Sequence, residues 1–161
     1  MKGLGRSQHR SYFGYSLPEL LIVCLVTMIL AAVAAPSIHN TLRAYRLDAA
    51  SSLIQARLVE ARLVAIKHNQ TATLKVNSTT RFIEIWTTDP NGFSIRVGGL
   101  TPIPTGVVFD PASETQVDFN SLGRNNAGTD STLRFRLLGT SYCRSVTASV
   151  AGNITGGRSC T

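Results

Sequence analysis

The chain of 161 residues has little of what catalytic centres are built from. Its three histidines, His9, His39 and His68, lie far apart, so neither a metal cluster nor a catalytic triad is suggested. No glycine-rich turn follows a strand and opens a helix, which leaves no motif for cradling phosphate. Acids are scarce, nine against sixteen basic residues, and Asp110, Glu114, Asp118 and Asp130 show no paired spacing for acid–base or calcium chemistry. These absences argue against an enzyme and imply no cofactor and no metal. The net charge of +7 is also less than it looks. Lys2, Arg6 and Arg10 stand in the first 14 residues, and the remainder carries only +4, which is not by itself a nucleic-acid signature.

What the chain does have is a long apolar run. From Leu20 to Ala35 every residue but Thr27 is apolar, and with Tyr15 to Leu17 in front the segment reaches the ~20 residues that cross a hydrocarbon core as a helix. The basic, acid-free leader holds the N-terminus in the cytoplasm and sends the rest across. The bulk of the chain is therefore expected outside the cytoplasm.

Two readings of this start compete. Ala32-Val33-Ala34 fits a small-x-small cleavage site, which would make the run an ordinary secretory signal. Glu19 argues for a retained helix, because a carboxylate at the edge of hydrocarbon is costly and calls for a partner. Cleavage after Gly14 would create a charged amine on Tyr15. A neighbouring subunit shifted along the helix axis could offer that amine to Glu19, and assembly would neutralise both charges.

Past the apolar run, Pro36 is expected to kink or loosen the helix. Helical periodicity then resumes to about Lys67: Leu47, Ala50, Ile54, Leu58, Ala61 and Ala65 recur at steps of three and four, with Leu53 and Val64 widening the stripe. Arg43, Arg46, Gln55 and Arg62 fall away from it. Asn69 suits a left-handed helix stop. From Thr71 the period becomes two. Strands are predicted at 71–76, 81–87, 93–97, 107–109, 116–119, 132–138 and 145–150, with turns at Asn77–Thr80, Pro90-Asn91-Gly92, Pro102–Gly106 and Gly123–Asp130. The expected fold class is α+β: one long N-terminal helix packed on a C-terminal antiparallel sheet domain. The segments are a leader (1–14), a transmembrane first half of the helix (15–38), its amphipathic second half (39–69) and a β-rich globular domain (70–161).

The cysteines divide by place. Cys24 lies in the apolar run and reads as a packing residue. Cys143 and Cys160 fall in the exported part, where an oxidising compartment permits a bridge. Closing that loop would contribute on the order of 3 kcal/mol; the alternative is two free thiols.

The stretch Gly14-Tyr15-Ser16-Leu17-Pro18-Glu19-Leu20-Leu21 resembles the class III signal of type IV pilins and type II secretion pseudopilins. The resemblance implies that a prepilin peptidase cuts after Gly14, that Tyr15 is N-methylated and that Glu19 serves assembly. Tyr15 replaces the usual phenylalanine and Pro18 a usual aliphatic residue; a proline in the first helical turn costs little. Further on, Phe119-Asn120-Ser121-Leu122-Gly123-Arg124, Leu133-Arg134-Phe135 and Cys143-Arg144-Ser145-Val146 resemble the β-domain of the GspH/FimT branch, as does the helix from Ala56 to Gln70. That branch holds minor pilins and minor pseudopilins.

The resemblance implies a minor pilin that waits in the inner membrane with its globular domain in the periplasm. It would then enter a pilus alongside other major and minor pilins and help to initiate the filament. A pseudopilus of type II secretion is the variant that the same signal allows. Some members of the branch bind DNA through a C-terminal Gly-Arg-x-Arg motif. The matching place here reads Gly152-Asn153-Ile154-Thr155, without either arginine, so DNA binding is possible but not favoured. If it occurs, Arg134, Arg136, Arg144 and Arg158 are the residues expected to form the basic patch.

Overall fold

The structure is a computed structural model that describes residue 14 and residues 16–111 and 113–158, without the side chains at 34–37, 39 and 40. Tyr15 and Cys160 thus lie outside the described residues. The chain divides into two units, Met1–Asn40 and Thr41–Thr161. One helix, α1 (Leu17–His68), belongs to both and runs through Pro36 without a break in its helical backbone. Eight strands follow: β1 (Ala72–Asn77), β2 (Phe82–Thr88), β3 (Ser94–Pro102), β4 (Val107–Phe109), β5 (Gln116–Phe119), β6 (Ser131–Leu137), β7 (Cys143–Ala148) and β8 (Ile154–Gly157).

In the first unit every described side chain of α1 is exposed. Among the described residues no helix is long and apolar enough to cross a membrane. The transmembrane character expected of residues 15–38 is therefore not shown by the structure. Its described apolar side chains run, interrupted only at Thr27, from Leu20 to Val33, short of the full stretch that the sequence offers.

The second unit is built as its periodicities predict. Leu47, Ala50, Ile54, Leu58, Ala61 and Ala65 are all buried, and they share one core with Leu74, Ile85, Val117, Phe119, Leu133, Phe135 and Val146. Burying a leucine or isoleucine this fully contributes about 2 kcal/mol. Strand alternation supplies the other side: in β1 Ala72, Leu74 and Val76 point in, while Lys75 and Asn77 point out. Asn69 (φ 53°) ends the helix in the left-handed region. There the Gln70 N–H donates to Ala65 O (3.1 Å) and the Asn69 N–H to Ile66 O (3.2 Å), which is the Schellman pattern.

The β-domain departs from one sheet: it forms two, of order β3-β2-β1-β5 and β4-β6-β7-β8, all pairings antiparallel. Two strand expectations also change. β3 does not stop at Val97. Gly98 (φ 76°) lets three residues bulge, after which pairing resumes at Thr101 opposite Ile83. The eighth strand, β8, lies beyond the last strand that the sequence predicts, 145–150. It forms because glycine lets the backbone come close to α1; a Cβ on Gly156 would sit 2.5 Å from Gln55 Nε2.

The connection between the sheets is pinned by one buried amide. Asn125 Nδ2 donates to Thr129 O (3.1 Å), Ser131 Oγ (2.9 Å) and Ala148 O (3.1 Å), and its Oδ1 accepts the Ala127 N–H (3.0 Å). Just before it, Asn120 Oδ1 accepts the N–H groups of Leu122 and Arg124, both at 3.0 Å, which folds the loop that displays Leu122.

Candidate functional site

Of the N-terminal signal residues, Gly14 is exposed, and a side chain there would meet nothing within 4 Å. Ser16 immediately precedes the helix and Glu19 stands three residues later, in the first turn. That spacing matches a capping box, and a carboxylate there is favoured by the partial positive charge of a helix start. Glu19 is nonetheless exposed, with no hydrogen bond or ion pair among the described residues.

The four arginines expected to gather into one basic patch are brought together two by two. On β6, Arg134 and Arg136 alternate with the buried Leu133, Phe135 and Leu137 and therefore point away from the core. Arg144 lies opposite Phe135 in the β6–β7 register, on the other face of that sheet. It crosses to α1, where its Nε donates to Asp48 Oδ1 at 2.9 Å. Arg158 is exposed just past β8. It lines, with Arg144, Asp48, Ser51 and Gln55, a depression of about 190 Å³. The sheet itself separates the pairs, and one of the four charges already faces a carboxylate.

Cys143 opens β7 and is half-buried. β8 runs back along β7 with Gly157 opposite Ser145, so three further residues carry the chain to Cys160. Cys24 is a free, exposed cysteine.

The outer face of the first sheet carries a depression of about 340 Å³, lined by Lys75, Glu84, Gln116 and neighbours. Its polar groups are satisfied by one another. Trp86 Nε1 donates to Glu84 Oε2 (2.8 Å), Gln116 Nε2 to both oxygens of Asp118, and Thr73 Oγ1 to Asp118 Oδ1 (2.6 Å), while Lys75 Nζ sits 5.7 Å from the Trp86 ring centre. Among the described residues no group of three or more His, Cys, Asp or Glu side chains could hold a metal ion.

Sequence reasoning missed Arg62. Placed on the polar side of the helix, it turns out to be half-buried, with Nε inaccessible and without an acceptor among the described residues. Gly123 and Gly152 lie directly against it; Cβ atoms on them would come within 3.0 Å and 3.2 Å of Arg62 Nε. The glycines were the only available signal, and they read equally as turns.

The helix laid on antiparallel sheets, with its stripe completing their core, has a type IV pilin-like fold. The solved structures it is similar to agree. They include the minor pseudopilin EpsH of the Vibrio cholerae type 2 secretion system (TM-score 0.56, 17% identity, covering 69% of this chain and 95% of that one). The Pseudomonas aeruginosa type IV minor pilin FimU is also similar (TM-score 0.54, 16% identity, covering 71% and 95%). A second EpsH crystal structure matches with a TM-score of 0.54 at 12% identity, covering 71% and 97%. At such identities the likeness is one of fold. No protein-family model and no curated protein matches the sequence.

Proposed function

We propose that this chain is a minor pilin subunit of a type IV pilus, incorporated to initiate or prime the filament. The observation that carries the reading is the joining of two independent features. A Gly14–Glu19 processing signal followed by an apolar run stands in front of a domain with the fold of minor pilins and pseudopilins. In this reading a prepilin peptidase cuts after Gly14, Tyr15 is methylated, and residues 15–38 anchor the product in the inner membrane with the globular domain in the periplasm. Glu19, exposed and without a partner among the described residues, then takes the amine of a neighbouring subunit as the helix leaves lipid for the filament core. A bridge from Cys143 to Cys160 would tie the tail back onto β7.

The likeness to EpsH supports a second reading, a minor pseudopilin of type II secretion, with the same processing and the same role for Glu19. DNA binding receives less support, because the expected arginines lie on two faces.

The test is the N-terminal sequence and intact mass of the protein purified from its native membrane. A chain beginning at methylated Tyr15 is expected, together with normal processing but lost filament incorporation for Glu19→Ala. A chain beginning near Pro36 would make this a secreted β-rich protein and remove the assembly reading altogether.

A further inference from the structure

We infer that the free edge of β3 pairs, antiparallel and across a two-fold axis, with the same edge of a second copy of this chain, joining two four-stranded sheets into one. The inference concerns the β-domain alone and holds whether or not the chain enters a filament. The edges of the two sheets are unequally protected. β4 and β8 span only three and four residues, and short edge strands make poor templates. β5 is covered by its own loop: Asn125 bridges to Phe119, and the Asn126 N–H donates to Asp118 O at 2.8 Å. β3 is nine residues long. Its second half carries the bulge at Gly98 and then Pro102, both of which blunt an edge. Its first half, residues 94–97, has neither.

Register decides which backbone groups that half offers. The Asp89 N–H donates to Phe93 O at 2.8 Å, so Asp89 and Phe93 occupy a hydrogen-bonded position of the β2–β3 ladder. Alternation then makes Thr87–Ile95 and Ile85–Val97 the hydrogen-bonded pairs and turns the N–H and C=O of Ser94 and Arg96 away from β2. Among the described residues no backbone group bonds to these outward groups. Donors and acceptors spaced two residues apart along an extended backbone match another strand.

Charge and side chains select the second copy and its register. An axis through Arg96 would set the two guanidinium groups directly opposite, which destabilises a sheet. An axis through Ser94 would bring Arg96 against Gly92, whose N–H already donates to Asp89 O at 3.0 Å. An axis through Ile95 has neither fault. Each Ser94 then faces the Arg96 of the other copy and exchanges both outward bonds with it, so the one charge in the segment meets a hydroxyl. The same axis sets Ile95 against Ile95 and Phe93 against Val97. Phe93 is 69% and Ile95 47% exposed, on the side of β3 from which Val97 packs against the core. The pairing therefore carries the apolar row of the core across the axis and covers these two side chains.

The experiment uses the full chain in its native cells, with Cys24→Ser as the parent, and adds Ile95→Cys or Arg96→Cys before mild oxidation. The mass of the linked product is read. Ile95→Cys should give a disulfide-linked pair of this chain at about five times the yield of Arg96→Cys or more, because side chains come closest at a non-hydrogen-bonded cross-strand position. Adding Arg96→Pro removes an outward N–H without touching the β2 ladder, and should lower the Ile95→Cys product about fivefold. Arg96→Thr keeps that N–H and should leave the yield unchanged. An unaltered urea midpoint shows that the proline variant is folded; if it is not, the contrast between positions 95 and 96 still decides. Three results would overturn the inference: no product above the parent, as when the edge takes a strand of another protein; a yield that favours Arg96→Cys; or an Ile95→Cys product that a folded Arg96→Pro chain forms equally well. None of them bears on cleavage after Gly14 or on Glu19, so the filament reading is judged separately.

Discussion

Gly152 tests how closely the loops beside α1 approach one another. Its φ is +83°, and a Cβ there would lie 2.0 Å from the Gly123 carbonyl oxygen. Gly152→Ala should therefore lose stability twice. Left-handed backbone costs a residue with a side chain about 1–2 kcal/mol. Overlap with a backbone atom, which cannot swing aside as a side chain can, adds about 1–3 kcal/mol of displaced structure. The sum is about 2–5 kcal/mol. Gly128 supplies the control: its φ is +74°, but nothing lies within 4 Å of a Cβ placed there. Gly128→Ala should then pay the conformational cost alone, about 1–2 kcal/mol. The assay is urea unfolding of the full chain in detergent, comparing midpoints at unchanged slope. If the two variants lose equal stability within about 0.5 kcal/mol, the close approach of Gly152 to Gly123 is wrong, and the support it lends to the Leu122 loop goes with it.

Three further outcomes are expected. Asn125→Ala removes four hydrogen bonds, two of them buried, and should lower stability by about 2–4 kcal/mol in the same unfolding assay; near-neutrality would mean that the loop re-satisfies itself or was never held. Asn69→Ala should cost about 1 kcal/mol at its φ of 53°, whereas Asn69→Gly should match or exceed the parent protein, and equal losses for both would refute the capping role. Asp48→Asn should change the midpoint by no more than about 1 kcal/mol. Its ion pair with Arg144 is open to water on the carboxylate side, the Asp48 side chain being 58% exposed against 15% for Arg144, so a larger loss would mean that the sheltered arginine governs the pair.

Much of the architecture was legible locally. The buried stripe of α1 from Leu47 to Ala65, its stop at Asn69 and the hairpin folded around Asn77 each follow from a few neighbouring residues, because helical and strand periods and turn chemistry act over short stretches. The resemblance of Gly14–Glu19 to a processing signal was likewise read from adjacent residues, and it still rests on them alone. Other features needed distant parts of the chain to meet. Division into two sheets depends on which strands pair, and Asn125 acts only once Thr129, Ser131 and Ala148 converge on it. β8 is a strand because Gly156 fits against Gln55. The arginines seemed one group in the sequence, yet cross-strand register places Arg134 and Arg136 on one face and Arg144 on the other, paired with Asp48, 96 positions away. Arg62 reads as a solvated helix charge until Gly123 and Gly152 close over it. Periodicity says which side of an element is apolar. Only the packing of one element on another decides which apolar side is covered, which stays open, and which charge is left without a partner.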